Sequence, residues 1–395
     1  MSRDTSSLPS KNSPKHLRDL KIALVFDDLI QQGGAEKLLL AVHEMWPKAP
    51  VFTSLASKEW QEKCRQKNIS LKTSFMQELP FKKQLNRFYS ILGLHMVAFE
   101  SFDLSNYDVI LSISSRYAHG IITSPNTKHI CYMNSPSRQF WQSREYFSQE
   151  GTLIKKLQGL LLPFLNHARL WDYTAAQRVD YFIANSPIPH ARIKKLYKTE
   201  SEIVFPFFDP PMGMDALSNL SASKNKDDYF LVLTRLSAWK RVDVAIKACG
   251  ALKHSLRIIG EGPAEKKLQK LGSTYENIEF LGYVSEKGKW KLLRNCKALI
   301  MTQKEDFGIT ALEAMYAGKP VIAYKKGGAQ STVLPQKTGE FFSQQTPQSL
   351  REVLQKFNPQ AYKSQDCKDQ ANRFTKDKFQ ESLQEAVNKV YFNLL

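Results

Sequence analysis

Short apolar runs alternate with helix patterns along this chain, and the alternation occurs in two successive series. The first series opens with 21–26 and the second with 229–233, and both runs have the length and content of a buried strand. Strands joined by helices form parallel sheets that are covered on both faces. The predicted fold class is therefore α/β, with two Rossmann-like, doubly wound domains that face each other across a cleft.

Each series predicts its own set of elements. The strands expected in the first series are 21–26, 51–55, 108–114, 129–134, 179–184 and 203–205, with a helix at 34–46. The second series predicts strands at 229–233, 256–259, 278–281, 298–301 and 320–324, separated by helices at 242–252, 264–271, 286–295 and 309–317. A long amphipathic helix is expected over 378–394.

With 395 residues the chain is long enough for two domains of ordinary size. Residues 1–18 are rich in Ser, Lys and Pro without an apolar centre, which predicts a disordered tail and not a signal peptide. Residues 207–228 contain paired prolines and a polar cluster typical of a linker. We therefore predict domains at 19–206 and 229–375, and a helix at 376–395 that packs back on the first domain.

Composition excludes several classes of protein. No apolar run approaches the roughly 18 residues that a membrane-spanning helix needs. The five cysteines are scattered and never form a C-x-x-C pair, which favours reduced thiols, a cytoplasmic location and no structural zinc.

The net charge of +18 is compatible with three partners: nucleic acid, an anionic membrane surface or a phosphorylated substrate. Segment 63–89 concentrates Lys and Arg with a single acid, Glu78, and mixes them with aromatic and aliphatic residues. That mixture suits the interface of an anionic membrane, although an ordinary solvated surface of a basic protein accounts for it equally well. The sequence contains no zinc-finger or RNA-binding motif, so nucleic acid is not the expected partner.

The most informative segment for function is 305–313, which has carboxylates at both ends. Glu305 follows an apolar strand run, and Glu313 lies inside the helix pattern that comes next. Between them the Phe307–Gly308 turn leaves the amides of residues 308–310 to begin that helix. A helix start beside glycine can bind phosphate, and a carboxylate farther along can accept hydrogen bonds from sugar hydroxyls. The segment therefore predicts a site for a nucleotide that carries a sugar.

Residues after other strands of the second domain belong to the same predicted site. Arg235 and Lys240, on one loop after a strand, can clamp a diphosphate; solvated surface charge is the alternative. Gly260 and Gly262 end the next strand and let a ligand approach the backbone, and Gly282 ends another strand where a nucleobase can bind. A plain βα turn is the alternative for Gly260 and Gly262.

The first domain contributes two further candidates. Gly33 and Gly34 stand at a helix start, which suits phosphate, but the full G-x-G-x-x-G pattern is missing and no dinucleotide cofactor is expected. Asn134 and Arg138 follow a strand and should face the cleft, where they can orient a substrate; an ordinary polar loop is the alternative.

Taken together, these motifs resemble family 4 of the retaining glycosyltransferases, which have the GT-B fold. Segment 305–313 is similar to the family's E-x7-E motif. The segments that match in order and spacing are 33–36, Arg235 with 240–243, 260–263, 280–282 and 318–323. The resemblance covers the chain from residue 20 to about residue 390.

The resemblance implies transfer of a sugar from a nucleotide diphosphate sugar, with retention of configuration and without a metal or other cofactor. Arg235 and Lys240 would neutralise the diphosphate leaving group, as a divalent ion does elsewhere. Catalysis by a glycosidase-like carboxylate pair is not implied, because Glu313 belongs with the ribose, too far along the helix to attack the anomeric carbon.

The resemblance also places the donor. Amides of Gly34 and of residues 307–309 (Phe307, Gly308 and Ile309) would bind phosphate and sugar. Glu313 would hold the ribose hydroxyls, and Glu305 the hydroxyls of the transferred sugar.

One position departs from the family pattern. Close relatives usually have a histidine, in a pattern like Y-x-H-T-P-x-R, where this chain has Asn134. Asparagine forms hydrogen bonds but does not carry a charge or relay protons near neutral pH. This departure leaves a catalytically impaired nucleotide-sugar-binding protein as one alternative to a transferase. A separate alternative is a sugar-nucleotide epimerase of the same fold, for which we find no convincing extra acid or base.

Segments 100–104 and 169–172 resemble bacterial mannosyltransferases that make cell-surface polysaccharides. This implies GDP-mannose as the donor and a glycan or lipid-linked glycan as the acceptor, with Arg138 on the acceptor side. It also implies a peripheral position at the inner face of the membrane, mediated by 63–89.

Overall fold

Two parallel sheets organise the computed structural model, which describes residues 20–143, 162–210 and 228–392. The predicted tail, 1–18, and most of the predicted linker 207–228 lie outside these ranges. The fold class is as predicted: α/β, with the sheets formed by successive parts of the chain.

The first sheet has seven parallel strands in the order β3-β2-β1-β4-β5-β6-β7. Their bounds are β1 Ile22–Phe26, β2 Val51–Thr53, β3 Leu71–Thr73, β4 Val109–Ser114, β5 Lys128–Met133, β6 Tyr181–Ala184 and β7 Ser201–Ile203. Strand β3 was not predicted, because a single apolar residue gives it no strand pattern. The prediction placed β7 two residues too late, since the buried apolar residues Val204, Phe207 and Phe208 continue past the end of the strand.

The second sheet has six parallel strands in the order β10-β9-β8-β11-β12-β13. Their bounds are β8 Tyr229–Leu233, β9 Ser255–Ile259, β10 Ile278–Gly282, β11 Leu299–Met301, β12 Val321–Tyr324 and β13 Gly339–Phe342. In both sheets the strand order reverses beside the first strand, between β1 and β4 and between β8 and β11. Ligands of doubly wound sheets bind outside the carboxyl ends of the strands at such a reversal.

Helices cover the sheets. The α-helices of the first part are Gly34–Met45, Lys58–Gln66, Lys82–Ile91, Leu94–Glu100, Arg138–Trp141, Leu162–Ala176 and Pro187–Tyr197. The later ones are Val242–Ala251, Glu265–Gly272, Glu286–Asn295, Ile309–Tyr316, Ala329–Thr332, Pro347–Lys356, Ser364–Ala371 and Lys376–Tyr391. Helix Pro187–Tyr197 was missed because it begins with proline, a residue that also signals loops but is tolerated at the first helical position.

The last helix, Lys376–Tyr391, packs against the first sheet. Its residues Phe379, Leu383 and Val387, spaced four apart, are buried in the core that β1 and β5 share. Lys376 Nζ also lies 2.7 Å from a carboxylate oxygen of Glu44. The end of the chain thus returns to the first sheet and ties the two halves together. Within the described ranges, no helix has both the length and the apolar character needed to cross a membrane.

Candidate functional site

An open cavity of about 500 Å³ lies between the two sheets, lined by residues that follow the carboxyl ends of strands in both. The predicted site residues that line it are Gly34, Asn134, Arg138, Glu305, Phe307, Gly308 and Ile309. Those predicted for the site that do not line it are Gly33, Arg235, Lys240, Gly260, Gly262, Gly282 and Glu313. The fold therefore brings together residues from both sides of the predicted cleft. Several residues predicted to bind the donor do not line the cavity.

The loop after β11 forms one wall of the cavity. Gly308 has a left-handed backbone, with φ of 91°, and helix Ile309–Tyr316 begins directly after it. The free amides at the start of this helix are thus at the cavity wall, as a phosphate site requires.

Glu305, on the same loop, forms a charge pair with Lys240. Lys240 is buried, and its ammonium also lies 4.0 Å from the centroid of the Trp239 ring. The predicted cation and the predicted sugar-binding carboxylate therefore meet, although the two residues are 65 positions apart in the chain. Arg235, on the same loop as Lys240, is exposed.

The glycines after β9 have a structural role that sequence alone did not indicate. A Cβ on Gly260 would lie 1.9 Å from the carbonyl oxygen of Thr234, and Gly260 has φ of 130°. A Cβ on Gly262 would lie 2.4 Å from the carbonyl oxygen of Leu236. Only glycine lets this loop pass so close to the loop that carries Arg235.

Glu313 is buried, and its Oε1 lies 2.8 Å from Nζ of Lys289. Lys289 Nζ also lies 2.8 Å from a carboxylate oxygen of Glu286. Burial acts to lower the pKa of Lys289, but the two carboxylates outweigh it and raise that pKa above its usual value. Lys289 was not predicted, because nothing in the sequence links it to a glutamate 24 residues away.

The opposite wall belongs to the first sheet. A Cβ on Gly34 would lie 3.0 Å from Cδ1 of Ile309, so the two halves of the protein come close here. Arg138 lies with its guanidinium 4.9 Å from the centroid of the Trp239 ring, which again joins the two halves. Asn134 also lines the cavity.

A group of charged residues behind this wall was not predicted. Arg116 lines the cavity, and its Nη2 lies 2.8 Å from the carboxylate of the buried Asp28. Burial acts to raise the pKa of Asp28, but Arg116, His95 and Asn86 lower it below its usual value. Burial also raises the pKa of the nearby Glu36 to about 7.

Asp27 holds the Arg116 loop in place. Its carboxylate accepts hydrogen bonds from the amides of Ser115, Tyr117 and Ala118, at 2.7 to 2.8 Å. Both aspartates stand directly after β1, and that position at a strand end was the available sequence signal.

Direct contacts cross from the first sheet to the loop after β11. Arg192 Nη1 donates to Asp306 Oδ1 at 2.7 Å and to Ser135 Oγ at 2.8 Å. Ser186 Oγ donates to the carbonyl oxygen of Asp306 at 2.5 Å. One arginine thus connects the loop of Asn134 with the loop of Glu305. Among the described residues, no group of three or more His, Cys, Asp or Glu side chains is arranged to hold a metal ion.

Comparison with known proteins places this site in context. Residues 214–374 match the family described as glycosyl transferases group 1. The alpha-1,3/1,6-mannosyltransferase of Dictyostelium discoideum is 54% identical over 63 residues, which are 16% of this chain and 15% of that protein. The alpha-1,3/1,6-mannosyltransferase of Homo sapiens is 27% identical over 215 residues, 47% of this chain and 51% of that protein. The chain thus spans about half, or less, of the length of these relatives.

Among solved structures, HepE of Anabaena in complex with UDP and glucose is similar over nearly the whole chain. The TM-score is 0.64 and the identity 19%, over 93% of this chain and 99% of that one. Similarity at this level shows the shared fold, which is the GT-B arrangement of two Rossmann-like domains.

Proposed function

We propose that the protein is a retaining glycosyltransferase that needs no metal ion, because residues 214–374 match the glycosyl transferases group 1 family and the chain has the GT-B fold. It would move a hexose from a nucleotide diphosphate sugar to a glycan or lipid-linked glycan. The observation that carries the proposal is the cavity at both strand-order reversals, where a free helix start, Glu305 and its partner Lys240 come together. Both reported relatives are mannosyltransferases, which supports mannose as the sugar and GDP-mannose as the donor.

The proposed reaction breaks the bond between the anomeric carbon and the diphosphate. The acceptor hydroxyl forms its new bond on the same face, and its proton passes to the leaving phosphate oxygen. Negative charge grows on the diphosphate, and Lys240 and Arg235 would stabilise it. Lys240 would exchange part of its contact with Glu305 for the phosphate, which leaves Glu305 free to accept from a sugar hydroxyl.

The donor would lie along the loop after β11 and the helix that follows it. Glu313, oriented by Lys289, would hold the ribose hydroxyls, and the amides of residues 307–309 would hold the phosphates. Gly34, which has no side chain, lets the two halves approach each other beside the start of this helix.

The acceptor would enter on the side of Asn134 and Arg138. Segment 63–89 would bring the protein to an anionic membrane that holds a lipid-linked acceptor. Its described exposed apolar residues, Phe75, Phe81 and Leu85, support this, as does the net charge of +18.

The test measures GDP release and labelled-sugar transfer from GDP-mannose, with extracted membrane lipid as the acceptor. Glu313→Ala and Arg235→Ala should each lower kcat/KM about 100-fold or more while the protein stays folded. Glu352→Ala is the matched control, because Glu352 is exposed and far along the chain from the site. Full activity in either site variant would refute the proposed function, and an inverted product anomer would refute retention.

The same experiment separates the alternatives. An impaired binding protein, which Asn134 in place of histidine would favour, should bind GDP-mannose tightly without transfer or slow hydrolysis. An epimerase should change the sugar of the donor with no acceptor present.

A further inference from the structure

Three polar residues form a row along the first wall of the cavity. Ser114 of β4 pairs with Met133 of β5, and Met133 pairs with Ala184 of β6. The residues that follow these three are Ser115, Asn134 and Asn185, and all line the cavity. Neighbouring parallel strands lie about 4.8 Å apart, so the row presents polar groups at that spacing along one edge of the sheet.

Two side-chain amides of this row each bury one polar atom without a partner. Nδ2 of Asn134 and Oδ1 of Asn185 make no hydrogen bond within the part of the chain that the structure describes. Asn185 is only 7% exposed. An unsatisfied buried polar atom costs about 1–3 kcal/mol, so an amide left in this state at a cavity wall points to a ligand that completes it.

The two amides define the chemistry of that ligand. One offers a donor and the other an acceptor, and a hydroxyl group satisfies both because it accepts and donates at once. A phosphate oxygen only accepts, so the carbonyl oxygen of Asn185 would repel it. The row is therefore suited to the hydroxyls of a sugar and not to the diphosphate.

The position of Asn185 indicates which sugar is bound. The next residue, Ser186, donates to the carbonyl oxygen of Asp306 at 2.5 Å, and Asp306 follows Glu305 directly. Asn185 is thus anchored beside the loop that would hold the transferred sugar.

We propose that Asn185, together with Asn134, binds hydroxyls of the transferred sugar and is a specificity-determining residue of the donor site. The inference rests on the proposed function. It adds a sugar contact on the first domain opposite Glu305, so that the sugar is held from both sides of the cleft.

Calorimetry on the full chain tests this with GDP-mannose and UDP-glucose, each compared with its own nucleoside diphosphate. Asn185→Ala should weaken binding of the nucleotide sugar that the wild type binds by about tenfold. That loss is equivalent to one hydrogen bond to a buried partner. Binding of the nucleoside diphosphate alone should change less than about twofold, since the amide does not reach it.

Thermal unfolding supplies a second readout that does not need a ligand. Asn185→Ala removes an unpaired amide, so the melting temperature should stay or rise. Asn277→Ala is the matched control, because Nδ2 of Asn277 donates to the carbonyl oxygens of Cys249 and His254 at 3.1 and 2.6 Å. That control should melt lower and bind both ligands normally.

Each result decides the matter. The role of Asn185 would be overturned if Asn185→Ala weakened binding of the nucleotide sugar and of the nucleoside diphosphate equally, or weakened neither. It would also be overturned if the melting temperature fell as it does in Asn277→Ala. The proposed function would stand in each of these cases. A wild type that binds neither nucleotide sugar would overturn the proposed function itself, and this inference with it.

Discussion

At the scale of single residues, Lys289 is the least expected part of the site. Glu313 is buried, and a buried carboxylate is costly without a charged or hydrogen-bonding partner. Lys289 lies 2.8 Å from it and holds its carboxylate in place, so that it can accept hydrogen bonds from ribose hydroxyls. A residue that touches no ligand would thus control how well the nucleotide binds.

Lys289→Met should weaken GDP binding about tenfold, because loss of a charged hydrogen-bond partner costs about 1.5–3 kcal/mol and solvent at the site offsets part of it. Calorimetry with GDP and with 2′,3′-dideoxy-GDP would measure this. The wild type should prefer GDP, and the variant should lose most of that preference. Lys291→Met, at an exposed position of the same helix, is the control. An unchanged ratio of the two affinities would mean that Lys289 does not act through Glu313.

Which residues could be predicted depends on where their partners lie in the chain. Glu305, Gly308 and Gly34, which line the cavity, could be predicted to face the cleft because each stands at a strand end or helix start, a position that the local pattern reveals. Arg192 contacts Asp306 across 114 residues, and only the folded chain brings them together. No local pattern marks such a pair, whereas Asn185 directly follows a predicted strand and carries the same signal as Asn134.

At the scale of elements, the sequence located most strands but fewer than half of the described α-helices, and the structure adds a packing reason for two glycines at a strand end. Gly260 and Gly262 were interpreted as openings for a ligand. The structure shows that a neighbouring loop already occupies the space that a Cβ would need. The sequence missed two strands, β3 and β13. Both are short and lie at the edge of their sheets, where a strand needs few apolar residues and so gives a weak sequence pattern.

Segment 63–89 is also an element whose side chains divide between core and surface. Of its apolar residues, Met76 and Tyr89 are buried in a small core cluster, whereas Phe75 and Phe81 are exposed. Phe81 is 73% exposed and has φ of 46°, a backbone conformation that disfavours a bulky residue. An exposed aromatic side chain at a strained position is hard to explain by stability and is consistent with insertion into a membrane interface.

Phe81→Asn should therefore lower binding to vesicles that contain phosphatidylglycerol about tenfold, because burying a phenylalanine contributes about 1.5–3 kcal/mol. Thermal stability should not fall, since asparagine tolerates positive φ better than phenylalanine. Tyr283→Asn serves as the control, with an equally exposed aromatic residue on the second domain. Binding should also weaken as salt rises. Absence of vesicle binding at every salt concentration would remove the membrane from the proposed function.

At the scale of the whole molecule, the position of the two domains decides whether a site exists. Asn134 and Glu305 line the same cavity from opposite sides, and Arg192 contacts the loops of both. Domains joined by modest interfaces move relative to one another by default. The Arg192–Asp306 pair, with both side chains less than one-fifth exposed, is well placed to favour the closed arrangement.

Asp306→Arg should open the cleft, because two arginines would then face each other, and small-angle X-ray scattering should show a larger radius of gyration. Arg192→Asp should do the same through two carboxylates. The double variant Arg192→Asp/Asp306→Arg should recover part of the closed population, with a coupling of about 0.5–3 kcal/mol as found for residues in one network. Lys194→Glu, on the same helix but in the exposed pair with Glu200, should leave the radius unchanged. If the double variant is as open as either single variant, this pair does not hold the domains together, and the closed cleft depends on other contacts such as Arg138 with Trp239.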